Sequence, residues 1–151
     1  MYEIIPNLYL GNHIDAWSFE RLLHNHIHRV LQLTQENEQE STFDSPFIQR
    51  EILPVQDTNF EVIRPFFPIA CEIIDTSIIR GEPILVHCRA GISRAPTFVI
   101  AYLIWKMKIP YDIARDIVLQ KCPFIDPNWG FIYQLQQWEQ DCIYSPLLSL
   151  S

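Results

Sequence analysis

Ile84-Leu85-Val86-His87-Cys88-Arg89-Ala90-Gly91-Ile92-Ser93-Arg94-Ala95-Pro96-Thr97 is the stretch from which the rest of the chain is best read. Ile84 to Val86 is a short apolar run of the kind that forms a strand buried on both faces. A turn follows His87, and a helix is expected from about Ala95 to Lys108, with Pro96 in its first turn, where a missing N–H costs nothing. Between strand and helix stand a cysteine and an arginine, Cys88 and Arg94, with a glycine, Gly91, inside the interval. A tight loop entering a helix N-terminus gathers backbone N–H groups around one point, and the helix dipole adds positive potential there. Such a concavity suits a phosphate dianion. Arg94 offers two parallel donors to its oxygens, and Gly91 allows backbone angles that a larger residue resists. The same field is expected to lower the pKa of a thiol at the loop's start, which makes Cys88 a candidate nucleophile toward phosphorus.

Working outward, Glu3–Ile5, Leu8–Leu10, Arg29–Leu33 and Phe47–Leu53 read as further strands, with Pro6-Asn7 a turn and Pro54 a stop. Ile14, Trp17, Leu22 and Leu23 recur at helical spacing, ending near His24. Phe66, Ile69, Ala70, Ile73, Ile74, Ser77 and Ile78 do so more strongly. Pro65 and Pro68 fit only a first turn, so that helix begins around residues 64–67, and Gly81 ends it. Tyr111–Lys121 carries Ile113, Ala114, Ile117 and Val118 on one face. A last helix, Trp129–Cys142, turns Phe131, Leu135 and Trp138 inward, with Asn128 as its N-cap. Strands interleaved with helices predict an α/β fold: a central, mostly parallel sheet of four to five strands flanked by helices. Thr34–Pro46 is polar and acidic, and is read as a solvated loop.

The chain has 151 residues, 48% hydrophobic and 19% charged, which is enough for one domain with a real core. It is read as a single domain over 1–144, with 145–151 a flexible C-terminal tail. Eleven basic against 18 acidic residues give a net charge of −7, which argues against a nucleic-acid binder. The first residues lack the pattern of a signal peptide, and the apolar run Phe98–Trp105 is too short to span a bilayer, so no membrane insertion is expected. Four cysteines, Cys71, Cys88, Cys122 and Cys142, are read as free thiols in a reducing compartment, cytoplasmic or nuclear.

Displacing an alkoxide from phosphorus needs a proton donor, and hydrolysis of the resulting intermediate needs a base. One carboxyl group can serve both. Asp57, in Pro54-Val55-Gln56-Asp57, lies on a loop between a strand and a helix and is a candidate, although an aspartate in a turn is also commonly a cap or a solvated charge. Asp75, Asp112, Asp116 and Asp141 fall on helices and are poorer candidates.

Taken together, the chain resembles the small atypical dual-specificity phosphatases of the protein tyrosine phosphatase superfamily. His87-Cys88-Arg89-Ala90-Gly91-Ile92-Ser93-Arg94 matches the signature HCxxGxxR. Ile5-Pro6-Asn7-Leu8-Tyr9-Leu10-Gly11 resembles the family's opening, Pro54–Asp57 its general-acid loop, and Pro127-Asn128-Trp129-Gly130-Phe131 with Gln134-Leu135 the start of its last helix. The resemblance implies Cys88 as nucleophile, Arg94 as phosphate clamp and Asp57 as general acid. It implies phosphate held by the loop residues Arg89, Ala90, Gly91, Ile92, Ser93 and Arg94, with no metal and no cofactor. It implies a shallow pocket that admits phosphotyrosine and phosphoserine/threonine of phosphorylated protein substrates. One position departs from the family: where a Ser or Thr usually follows the arginine and steadies the departing thiolate, this chain has Ala95. Slowed breakdown of a phosphocysteine intermediate is the expected consequence. Two other readings stay open, a low-turnover phosphate-binding scaffold and an enzyme acting on phosphoinositides or RNA 5′ phosphates. For the latter, only Arg89 supplies extra positive charge.

Other signals are left unpromoted. His24, His26 and His28 share a face only if the segment is extended, and no nearby Cys or carboxylate completes a metal set. His87 is read as orienting the loop rather than acting as a base. Trp129, Trp138, Phe66 and Phe67 are read as core, and Cys71, Cys122 and Cys142 as inert.

Overall fold

Alternating apolar residues on β3 (Arg29–Thr34) explain how the chain layers itself. Leu31 and Leu33 join the larger hydrophobic cluster on one face of the sheet, whereas Val30 joins a smaller cluster on the other. β5 (Ile84–His87) does the same: Ile84 and Val86 face the larger cluster and Leu85 the smaller. The computed structural model describes residues 1–35 and 45–145. Most of the expected polar loop Thr34–Pro46, and all of the expected tail beyond Ser145, lie outside the described residues.

Among the described residues the sheet has five strands in the order β1-β2-β5-β3-β4, with β1 (Tyr2–Ile5), β2 (Leu8–Gly11) and β4 (Gln49–Pro54) completing it. Only β1 runs antiparallel to its neighbour; β2, β5, β3 and β4 are mutually parallel. The mostly parallel sheet expected from the sequence is therefore present. β5, whose four residues are all buried, occupies its centre.

On one face lie α3 (Phe67–Ile79), α4 (Arg94–Met107), α5 (Tyr111–Lys121) and α6 (Trp129–Glu139). α4 is buried from Arg94 through Ile104, as a helix without a polar face must be, and the other three surround it. Phe67 packs edge-on against Phe98 and tilts against Trp138, whose Nε1–H donates to Ala101 O. Pro65 and Pro68 occupy the opening turns, first of a 3₁₀ turn at Arg64–Phe66 and then of α3. Gly81 follows α3 at φ +69°, the left-handed region that favours glycine. A π-helical turn, Gln140–Tyr144, prolongs α6 and buries Cys142.

Several boundaries and orientations differ from expectation. The first helix is two short ones, α1 (His13–Ala16) and α2 (Phe19–His24), because Ser18 caps a new start by accepting from Arg21 N–H. Ile14 and Leu23 face solvent as a result, while Leu22 and Ala16 fill the smaller core. Phe47 precedes β4 and is exposed, and Ile113 of α5 is exposed as well. Trp129, read as core, is 80% exposed, because it sits at the first position of α6, on the side away from Phe131 and Leu135. Phe67 and Trp138 are buried, and Phe66 packs partly buried against the same core.

Candidate active site

In parallel strands, the loops at the carboxyl ends open on the same edge of the sheet, and ligands bind in the crevice there. Here β5 ends at His87 and β4 ends at Pro54, so the loops carrying Cys88 and Asp57 emerge on one edge.

The loop from Cys88 to Ser93 is braced from both sides. The carbonyl of Arg89 accepts from the backbone N–H of His13 at 3.0 Å and faces its ring Nδ1 at 2.6 Å. The carbonyl of Ile92 accepts from Asp126 N–H at 2.7 Å, and Ser93 Oγ accepts from Asn128 N–H at 3.1 Å. With these oxygens engaged outside the loop, the N–H groups of Gly91 and Ala95 act on the Cys88 sulfur inside it. Gly91 makes the curl feasible. Its φ is +74°, and a Cβ there would stand 3.0 Å from Gly11 O.

At the focus lies the Cys88 sulfur. Cys88 is 3% exposed, and Sγ accepts from the Ala95 N–H, in the first turn of α4, at 3.3 Å. The expectation of a lowered thiol pKa is not met. Burial is the largest influence and pushes the thiol up, the Ala95 N–H, the Arg94 charge and the Gly91 N–H oppose it, and Asp57 adds a smaller upward push. Those influences also bring the three predicted side chains together, since Arg94 and Asp57 both act electrostatically on this sulfur. Arg94 is buried, and its Nη1 donates to Val55 O at 3.2 Å, so the arginine bridges the Cys88 loop and the Asp57 loop. Arg89 and Ala90 are exposed on the rim, and Ile92 is partly so.

His87 lies beneath the loop, fully buried, with Nδ1 3.3 Å from Cys88 O. That oxygen only accepts, so Nδ1 carries the proton. Nε2 is buried without a hydrogen-bond partner among the described residues. Burial lowers the ring's pKa to about 4, so the imidazole is neutral and orients the loop, as expected.

Asp57 is held by a residue that sequence reading had assigned only as a helix cap. Asn128 accepts from Phe131 N–H through Oδ1, capping α6, and donates through Nδ2 to Asp57 Oδ1 at 2.9 Å. Two further ties fasten the same segment. Gln134 accepts from the N–H groups of Ile63 and Arg64 and donates to Glu61 O. Gly130 N–H donates to Asn59 Oδ1, and a Cβ at residue 130 would fall 2.1 Å from Asn59 O, so only glycine fits. The run Pro127–Phe131 with Gln134 was visible in the sequence, but nothing in it disclosed these partners.

His24, His26 and His28 lie away from this edge, where His26 adopts φ +59° and His28 Nδ1 faces Phe47 O. The four cysteines are free thiols. Among the described residues, no helix is long and apolar enough to cross a membrane.

The family model for the dual specificity phosphatase catalytic domain matches residues 8–141. The chain belongs to this family. It is 35% identical over 138 residues to human dual specificity protein phosphatase 9, a match covering 91% of this chain and 36% of that protein. It is 37% identical over 145 residues to the human serine/threonine/tyrosine-interacting protein, covering 92% and 64%. The crystal structure of the human tyrosine phosphatase-like serine/threonine/tyrosine-interacting protein superposes with a TM-score of 0.88 at 34% identity, over 96% of this chain and 97% of that one. The chain thus spans about a third of dual specificity protein phosphatase 9, and 22% of the Caenorhabditis elegans tyrosine-protein phosphatase vhp-1, to which it is 35% identical. Ala95 brings no hydroxyl to the start of α4, and the hydroxyls of Thr97 and Ser93 both take part in other bonds. Thr97 Oγ1 donates to Ser93 O at 2.7 Å, and Ser93 Oγ holds Asn128.

Proposed function

We propose that this domain hydrolyses phosphotyrosine and phosphoserine/threonine monoesters of proteins through a phosphocysteine intermediate. Supporting this most directly is the sulfur of Cys88 under the first turn of α4, with the Ala95 N–H directed at it and Arg94 beside it. The phosphate dianion sits over the loop, held by the N–H groups of residues 89–94 and by the guanidinium of Arg94. The Cys88 thiolate attacks phosphorus, the P–O bond to the leaving group breaks, and Asp57 in its acid form protonates the departing oxygen. Asp57 as carboxylate then takes a proton from water. The resulting oxygen attacks phosphorus, and the P–S bond breaks to release inorganic phosphate and the thiolate. No metal or cofactor enters these steps. Since burial pushes the Cys88 thiol up, the reaction draws on a thiolate fraction that grows with pH. The four free thiols are in keeping with a cytoplasmic or nuclear site of action.

Hydrolysis of an aryl phosphate by wild type and Cys88→Ser tests the reading. Turnover confined to wild type is expected, and equal rates overturn it.

Ala95 favours one other reading, a domain that binds phosphorylated partners and turns over slowly. The likeness to a protein described as phosphatase-like and interacting is in keeping with it. Tight phosphopeptide binding together with a rate no greater than that of Cys88→Ser would select this second function.

A further inference from the structure

Beside the phosphate loop is a cavity of about 360 Å³ whose far side, beyond Asp57, has no part in the reaction above. It shares Asp57, Ile92 and Ser93 with the site and extends past Asp126 to Trp129 and Ile132. Ile92, 41% exposed, and the half-buried Ile132 give it an apolar wall. Trp129 leaves its ring to solvent at the rim, an arrangement that costs hydration unless something covers it. Among the described residues, none that lines the cavity is a cation.

Its carboxylates differ in what they do. Asp57 is occupied by Asn128 and by its part in the proposed reaction. Asp126 is fixed in place by its backbone, whose N–H donates to Ile92 O, yet its carboxylate has no hydrogen-bond or ion-pair partner among the described residues. An unpaired carboxylate, a long apolar wall and an open indole face together match one kind of side chain, an aliphatic stem ending in a positive charge. An apolar side chain would satisfy the wall and leave the carboxylate desolvated beside it. An acidic one would meet two like charges.

Building on the proposed phosphatase reading, we infer that this cavity is a specificity subsite for an arginine or lysine side chain adjacent to the phosphorylated residue. The stem lies along Ile92 and Ile132, the charged head reaches Asp126, and Trp129 covers it. The domain therefore selects phosphoproteins in which the phosphorylated residue is flanked by a basic residue.

The test is binding of fluorescent phosphotyrosine peptides to the Cys88→Ser protein, which cannot turn them over. The peptides differ only in carrying arginine, leucine or glutamate on either side of the phosphotyrosine. The arginine peptide is expected to bind about fivefold more tightly than the leucine peptide, as a screened ion pair and a cation–π contact provide, with glutamate weakest. In roughly 0.5 M salt the advantage shrinks toward unity. Asp126→Asn brings the arginine peptide down to the leucine level, and Trp129→Ala weakens the arginine peptide more than the leucine one. Equal affinities for all three peptides, each displaced by inorganic phosphate, overturn the subsite and leave the phosphate site standing. Absence of any phosphate-displaceable binding overturns both.

Discussion

The backbone N–H of Ala95 donates to the sulfur of Cys88 across 3.3 Å, so the first turn of α4 and the candidate nucleophile are held in direct contact. Burial nonetheless outweighs this bond and the Arg94 charge, and the thiol is pushed up. Alkylation of Cys88 by iodoacetamide should therefore accelerate as pH rises, with its midpoint above the ordinary cysteine value of about 8.5. Arg94→Ala, which removes one opposing influence, should move the midpoint higher still. A midpoint near neutrality would show that the N–H groups and Arg94 prevail.

In the proposed reaction, breakdown of the phosphocysteine intermediate is the step that Ala95 leaves without a hydroxyl. Pre-steady-state kinetics with excess aryl phosphate should show a burst of phenol followed by a slower steady rate. In Ala95→Ser the steady rate should rise by about tenfold or more and the burst should shrink, because a donor meeting developing charge can be worth roughly a hundredfold. Rates equal in both phases, and indifferent to the substitution, would exclude slow hydrolysis.

Asn128 has two jobs that a single substitution separates. Serine retains the cap on α6 but is too short to reach Asp57, so Asn128→Ser should unfold in urea within ~0.5 kcal/mol of wild type. If Asn128 positions the proton donor, the rate of the burst with phenyl phosphate, whose leaving group needs protonation, should fall about tenfold, and that with a nitrophenyl phosphate far less. Equal losses on both substrates would reduce Asn128 to a structural cap.

His87 gives the fold a pH dependence with a definite sign. Its pKa falls from 6.5 in the unfolded chain to about 4 in the folded one, so the unfolded chain binds the extra proton first as pH drops. Stability from this group is intact above pH 6.5 and is lost progressively down to about pH 4, by ~3 kcal/mol in all. Urea melts across that range should show the decline in wild type and a flatter profile in His87→Gln. Matching profiles would mean that His87 is not neutral in the fold.

The strand–loop–helix unit was legible because each part announces itself locally: an apolar run at Ile84–Val86, a glycine at 91, a proline at 96 and an apolar helix after it. The caps and stops at Asn128, Pro65, Pro68 and Gly81 were legible for the same reason. What escaped depends on partners distant in the chain. Trp129 looked like core because tryptophan usually is, and only the placement of Phe131 and Leu135 on the inner side of α6 turns it out to solvent. The first helix was read as continuous because Ile14 and Leu23 fit the period, whereas Ser18 interrupts it with a cap. The thiol was expected to be acidic from its helix end alone. How deeply the sheet and α4 bury it is a property of the whole fold.

The bond from Asn128 to Asp57 joins residues 71 positions apart, and Gln134 spans a similar distance to Ile63 and Arg64. During synthesis, then, a chain that has emerged only as far as α4 possesses its thiol and its arginine but neither the strut on Asp57 nor the bonds from Asp126 and Asn128 that brace the Cys88 loop. On the proposed function, competence therefore arrives late, when the final helix leaves the ribosome and docks.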